Sequence, residues 1–234
     1  MRNMSEDSSL YPTKHHPESC DPDDIWRQVG RTTSGKPVSS DQIDLIVNAA
    51  KQRLSLSEDD ILLDLCCGNG ALTTHLFQKC AGGLGVDYSE FLIDVANQRF
   101  VKRESEAYLL YDALHYLRAE NWPDRFTKVM CYGAFPYFPA KAACEMLTQI
   151  KDRFANVSTV FLGQLPDKTR ISAFYREGIP AGIEDNPGGK LGMWRTPEEM
   201  IDLAKAAGWK ADCIRMPDAF FAAHYRFDAI LTRI

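Results

Sequence analysis

Residues 61–74, ILLDLCCGNGALTT, constrain what this chain can fold into more than any other stretch. The run DILLDLC has the length and apolar character of a buried strand, and Cys66 and Cys67 are expected to lie in it. Gly68-Asn69-Gly70 then imposes a sharp turn, and ALTTHLFQKC continues in a helical pattern. A strand that passes through a glycine turn into a helix is one unit of a parallel α/β sheet.

The rest of the chain repeats that unit. Ile43, Ile46, Val47, Ala50 and Leu54 recur at helical spacing behind Ser39 or Ser40 as cap. GLGVD predicts a second strand, and Ser89 caps a helix through about Arg103 that buries Leu92, Val95 and Ala96. AYLLYD is a third strand, followed by a short helix near 113–120. FTKVMCYG is a fourth, and Pro139 opens a helix with the stripe Ala143, Met146, Leu147, Ile150 and Phe154. STVFLGQ is a fifth. In TPEEMIDLAKAAGW, Thr196 is the cap, Pro197 takes the first helical position, Glu199 completes a capping box and Gly208 ends the helix. Two last strands, near 209–216 and 224–233, follow one another without a helix and are expected to pair antiparallel. Together these elements predict an α/β doubly wound sheet of seven mostly parallel strands, with a C-terminal antiparallel hairpin and helices on both faces.

Residues 164–195 interrupt the rhythm with prolines and glycines and are expected to form an inserted lid. The predicted organisation is a flexible polar tail over 1–21, a cap segment over 22–38 and a single domain over 39–234 containing that insertion. The first twenty residues have no apolar core of the signal-peptide kind, and no apolar run is long enough to cross a bilayer. The net charge of −5 argues against a nucleic-acid partner. Seven cysteines without a CxxC pair suit reduced thiols in the cytoplasm. No metal-ligand cluster is evident, and His15 and His16 are expected to be solvated. Oligomeric state, monomer or homodimer, is left open.

Ligands of such sheets bind at the carboxyl ends of the strands, and three of these ends carry chemistry. The first offers Asp64, Cys66, Gly68 and Gly70. The second offers Asp87, 19 residues after Gly68, where a carboxylate can accept from both ribose hydroxyls. The third offers Asp112 and Ala113, suited to an adenine edge. Asp87 and Asp112 also suit the start of the helix that follows each of them. A pyrophosphate beside Asp64 would meet like-charge repulsion of roughly a few kcal/mol, whereas the sulfonium and ammonium of S-adenosylmethionine favour an acid there. Thr73 also replaces the third small residue of a dinucleotide fingerprint.

DLCCGNG, GVDYS and YDAL resemble the successive motifs of the class I S-adenosylmethionine-dependent methyltransferases, over roughly residues 40–234. The resemblance implies a Rossmann-like fold, S-adenosylmethionine as cofactor and S-adenosylhomocysteine as product. It places Asp64, Cys66, Gly68 and Gly70 around the methionine part, Asp87 on the ribose and Tyr88 beside the adenine. It places Asp112 and Ala113 at the adenine edge, with Cys131, Tyr132 and Gly133 toward the sulfonium and the acceptor. Cys66-Cys67 departs from the small residue, Gly or Ala, that the family often has there.

The Asn/Asp-Pro-Pro-Tyr/Phe stretch of many base and amide N-methyltransferases is absent after the fourth strand, which ends CYGAFPYFP. There Pro136 is expected to hold Phe135 extended, and Phe135, Tyr137 and Phe138 are candidate walls for an acceptor. The candidate catalytic residues are His224, expected to begin the last strand, Tyr137 and His115. Arg31 in the cap segment is a candidate partner for the cofactor carboxylate or an acidic acceptor. Glu184 and Asp185 read as a solvated run. The expected reaction is methyl transfer to a small molecule, with oxygen favoured over nitrogen. A small-amine N-methyltransferase, an NAD-dependent oxidoreductase and a non-catalytic cofactor-binding scaffold are the alternatives.

Overall fold

The β-branched and leucine-rich runs form the strands of one seven-stranded sheet. In the computed structural model, which describes residues 16–33 and 35–234, these are β1 (Ile61–Leu65), β2 (Gly82–Asp87), β3 (Glu106–Leu110), β4 (Lys128–Tyr132), β5 (Thr159–Pro166), β6 (Trp209–Ile214) and β7 (Arg226–Arg233). The spatial order is β3-β2-β1-β4-β5-β7-β6. The first five strands run parallel, and β7 pairs antiparallel with both β5 and β6. The helices of five or more residues are α1 (Ser40–Leu54), α2 (Thr73–Phe77), α3 (Glu90–Arg99), α4 (Ala113–Ala119), α5 (Ala140–Arg153) and α6 (Pro197–Ala206).

Strand alternation divides the core in two. Leu63, Leu65, Val129, Cys131 and Leu162 face α4, α5 and α6, against Leu117, Met146, Ile150 and Met200. Leu62, Met130, Tyr132 and Phe161 face α1, α2 and α3, against Ile46, Leu72, Phe77 and Ile93. The same alternation decides where the polar residues of the strands point.

Local signals set most helix ends. Thr196 and Glu199 form the expected capping box, and Gly208 lies just past α6 with φ +82°. Ser89 accepts from the Leu92 amide, but α3 ends at Arg99, four residues short of the expected end. Ser39 is the N-cap of α1 without a side-chain cap bond. β1 ends at Leu65, so Cys66 and Cys67 belong to the turn. Cys66 has φ +60°, a left-handed conformation that a side chain disfavours and that glycine would adopt freely. Phe135–Tyr137 is a 3-10 turn, contrary to the expected extended Phe135; the Tyr137 amide bonds to the Ala134 carbonyl and Phe135 is fully buried. Burial of the ring here outweighs the pre-proline bias.

The expected tail over 1–21 falls mostly on residues 1–15, outside the described residues. Residues 16–21 are tied down: Pro17–Ser19 forms a 3-10 turn, and His16 Nε2 lies 3.1 Å from the Arg27 carbonyl. The cap segment contains the single turn Ile25–Gln28 and a small ribbon pairing Thr32–Thr33 with Lys36–Pro37. The insertion is closed at its base. The Arg195 amide bonds to the Pro166 carbonyl and the Lys168 amide to the Arg195 carbonyl, so β5 runs to Pro166 before the chain departs. Among the described residues no helix is long and apolar enough to cross a membrane.

Candidate active site

A cavity of about 990 Å³ opens over the carboxyl ends of β1, β2, β3, β4 and β5, roofed by the cap segment and the insertion. Its floor is the glycine turn. The Gly68 amide donates to Asp87 Oδ2 at 2.9 Å, and the Ser89 amide donates to Asp87 Oδ1 at 2.9 Å. This carboxyl therefore joins the turn after β1 to the end of β2. Burial pushes its pKa up, opposed by the backbone amides of Ser89, Gly68 and Tyr88. Gly68 has φ +60°, and a Cβ there would stand 2.8 Å from Val29 Cγ1. Absence of a side chain thus lets the cap segment seat directly on the turn. Asn69 fastens it: Nδ2 donates to the Ile25 carbonyl at 2.8 Å and to Gln28 Oε1 at 2.9 Å.

Of the expected cofactor residues, Arg31, Cys66, Gly68, Asp87, Tyr88, Asp112 and Ala113 line the cavity. Asp112 caps α4 through Oδ1, which accepts from the His115 amide at 2.9 Å. A hydrogen bond with Cys131, together with burial, holds the Cys66 thiol well above the usual thiol range.

Asp64, Gly70 and Cys131 do not line the cavity. Asp64 lies on the Leu62 face of β1, only 2% exposed, and its Oδ2 accepts from Thr73 Oγ1 at 2.6 Å. The expected direct approach of its carboxylate to a ligand is therefore replaced by a place beneath the turn. Burial raises its pKa to about 7, against the opposing effects of the Thr73 hydroxyl and the Arg31 charge. Gly70 (φ +76°) packs instead against the ring of Tyr108. Cys131 alternates to the opposite face of β4, into the α4–α6 core.

The candidate bases separate in the same way. His115 is exposed on α4, its Nδ1 3.6 Å from Asp112 Oδ1, and does not line the cavity. Tyr137 does, but its hydroxyl donates to the Lys190 carbonyl at 3.0 Å and burial raises its pKa, so it is a poor proton acceptor. His224 lines the cavity from the loop before β7, which begins at Arg226 rather than at the histidine. Its ring stands edge-on to Tyr225, with centroids 4.7 Å apart. Glu184 and Asp185 form a 3-10 turn away from the lining, and Phe135 lies in the core, whereas Phe138 reaches the wall.

Sequence reasoning missed Gln164, Arg176, Lys190 and Arg226, all on the cavity wall. The register of β5 against β7 shifts between Leu162 and Leu165, where Gln164 takes φ +66° and its amide donates to Asp228 Oδ1 at 2.7 Å. This bulge aims the Gln164 side chain at the Tyr132 hydroxyl, 3.1 Å away. The signals available were a glutamine closing an apolar strand and an arginine opening one. Arg31 lies over the Tyr132 ring at 5.0 Å, and its Nε is buried without a hydrogen-bond partner among the described residues. No group of three or more His, Cys, Asp or Glu among the described residues is placed to hold a metal ion.

Known proteins resemble this chain in part of its sequence and in its fold. Residues 62–155 match the family model described as a methyltransferase domain. An uncharacterized methyltransferase of Schizosaccharomyces pombe is 34% identical over 80 residues, 32% of this chain and 28% of the relative. A probable cobalt-precorrin-6B C(15)-methyltransferase (decarboxylating) of Methanocaldococcus jannaschii is 28% identical over 68 residues, 29% of this chain and 36% of the relative. The chain thus spans only about a third of the length of these curated relatives. Among solved structures, the cyclopropane synthase MmaA2 from Mycobacterium tuberculosis superposes with a TM-score of 0.65 at 14% identity, covering 88% of this chain and 76% of that one. Magnesium protoporphyrin IX methyltransferase from Synechocystis PCC 6803 with bound SAH gives a TM-score of 0.60 at 17% identity, covering 90% and 86%. At these identities the structural likeness is one of fold.

Proposed function

We propose that this chain is a class I S-adenosylmethionine-dependent methyltransferase and that it methylates a small molecule in the cavity beneath its cap segment and insertion. The carrying observation is the buried Asp87 carboxyl at the end of β2, held on the glycine turn and open to the cavity. Such an acid accepts hydrogen bonds from the hydroxyls of a ribose. The two acids of the cavity wall, Asp87 and Asp112, stand at the end assigned to the adenosine, and Arg31 stands at the end assigned to the methionine carboxylate. When bound, S-adenosylmethionine supplies a methyl group activated by its sulfonium and is released as S-adenosylhomocysteine.

The protein's own contribution is alignment and exclusion of water. Asp87 fixes the ribose, with Tyr88, Asp112 and Ala113 at the base, while Gly68 seats Val29 of the cap segment on the turn. Arg31 supplies the cation for the cofactor carboxylate. Residues 22–38 and 164–195 close over the acceptor. We favour a hydroxyl acceptor, because His224 is the cavity residue best suited to take its proton. An amine acceptor would need no such base. Seven free thiols support a cytoplasmic location.

The test is calorimetric titration with S-adenosylhomocysteine, with NADH as control. Micromolar binding is expected to the wild type, weakened about tenfold to a hundredfold by Asp87→Ala and by the isosteric Asp87→Asn, which removes the charge with least change of shape. Binding of NADH but not S-adenosylhomocysteine to the wild type would refute the proposal.

A further inference from the structure

The charges on the cavity wall are segregated along the sheet. Its carboxylates, Asp87 and Asp112, follow β2 and β3. Its cations at the far side are Arg226 at the start of β7 and Arg176 and Lys190 on the insertion, with Arg31 between the two sides. Arg226 stands four strands away from β2, on the order of 19 Å at about 4.8 Å per strand. That is the side left for an acceptor once the nucleoside occupies β3, β2 and β1.

These cations lack anionic partners among the described residues. Arg226 Nη1 donates to the Gln164 carbonyl and its guanidinium lies 5.3 Å from the Tyr225 ring, yet its Nε is buried with no hydrogen-bond partner. Lys190 Nζ lies 5.6 Å from the Phe174 ring, and the Arg176 Nε donates only to the Ala173 carbonyl at 3.5 Å. Two other interior arginines are neutralised, Arg53 by Asp228 and Arg215 by Asp167, whereas buried Arg195 donates to the Phe138 carbonyl. A buried guanidinium nitrogen without an acceptor costs free energy that an anionic ligand would recover. The bulge at Gln164 supports the arrangement, because it presents the carbonyl that orients Arg226.

We propose that the acceptor is a small anion, bearing a carboxylate or a phosphate, which seats that group against Arg226 and lays an apolar body on Phe174 and Tyr225. Arg176 and Lys190, both exposed on the insertion, draw it to the mouth. This rests on the assignment of the other half of the cavity to the cofactor.

The test is calorimetry on the protein saturated with S-adenosylhomocysteine, titrated with benzoate, phenyl phosphate and neutral benzamide. At least one anion is expected to bind about tenfold or more tightly than benzamide, and its identity separates a carboxylate from a phosphate substrate. Arg226→Met should weaken that anion about tenfold or more and leave S-adenosylhomocysteine affinity within about twofold. The double variant Arg176→Met/Lys190→Met serves the same comparison if Arg226→Met does not fold. Benzamide binding as well as both anions, no anion binding to the cofactor-loaded protein, or anion affinity indifferent to the folded variants would overturn the proposal. Failure of the wild type to bind S-adenosylhomocysteine would instead strike at the methyltransferase assignment itself.

Discussion

Asp64 shows how a residue can be conspicuous in sequence and play its part out of sight. An acid inside an apolar strand invites a role as ligand, but period-2 alternation turns it to the Leu62 face, beneath the glycine turn and against Thr73. Its pKa of about 7 carries a consequence for stability. The folded value lies above the ordinary 3.8, so the native state holds a proton that the unfolded chain has released. The associated stability is full below about pH 4 and is lost as pH rises through 7, by at most about 4 kcal/mol at roughly 1.36 kcal/mol per unit. Asp64→Asn keeps a hydrogen-bonding partner for Thr73 and removes the titration. Urea unfolding at pH 5 and pH 7.5 should show the variant gaining on the wild type as pH rises. An equal difference at both pH values would mean that Asp64 is ionised throughout.

At the scale of elements, the parts legible in the sequence were those with local causes. The capping box at Thr196 and Glu199, the cap at Ser89 and the strand-turn-helix at 61–74 depend on neighbours a few residues apart. The bulge at Gln164 was not legible, because it depends on Asp228, 64 residues away. Nor was the use of Asn69, which reads as a turn residue but pins the cap segment through Ile25 and Gln28. Asn69→Ala should cost about 1–3 kcal/mol by leaving these groups unpaired, and should loosen the cap segment before the sheet. Limited proteolysis would then cut the variant within residues 22–38 while the wild type resists. Equal resistance would show that Val29 and the other apolar contacts hold the segment alone.

Across the whole molecule, alternating strand and helix patterns foretold the layers and the antiparallel hairpin, and the carboxyl-end rule located the cavity. They could not foretell which lid and loop residues meet over it. Arg226, Lys190 and Arg176 come together only through the strand order and the closed base of the insertion, which bring distant segments to one side. The same order divides the cavity into an acidic half, which we assign to the nucleoside, and a cationic half, which we assign to the acceptor. The most direct test is a crystal structure of the protein with S-adenosylhomocysteine. The ribose hydroxyls should lie within about 3.2 Å of the Asp87 carboxylate, with the adenine between Tyr88 and Asp112 and the cationic side free. A ligand bound elsewhere, or seated at this turn with its ribose away from Asp87, would contradict the proposed function.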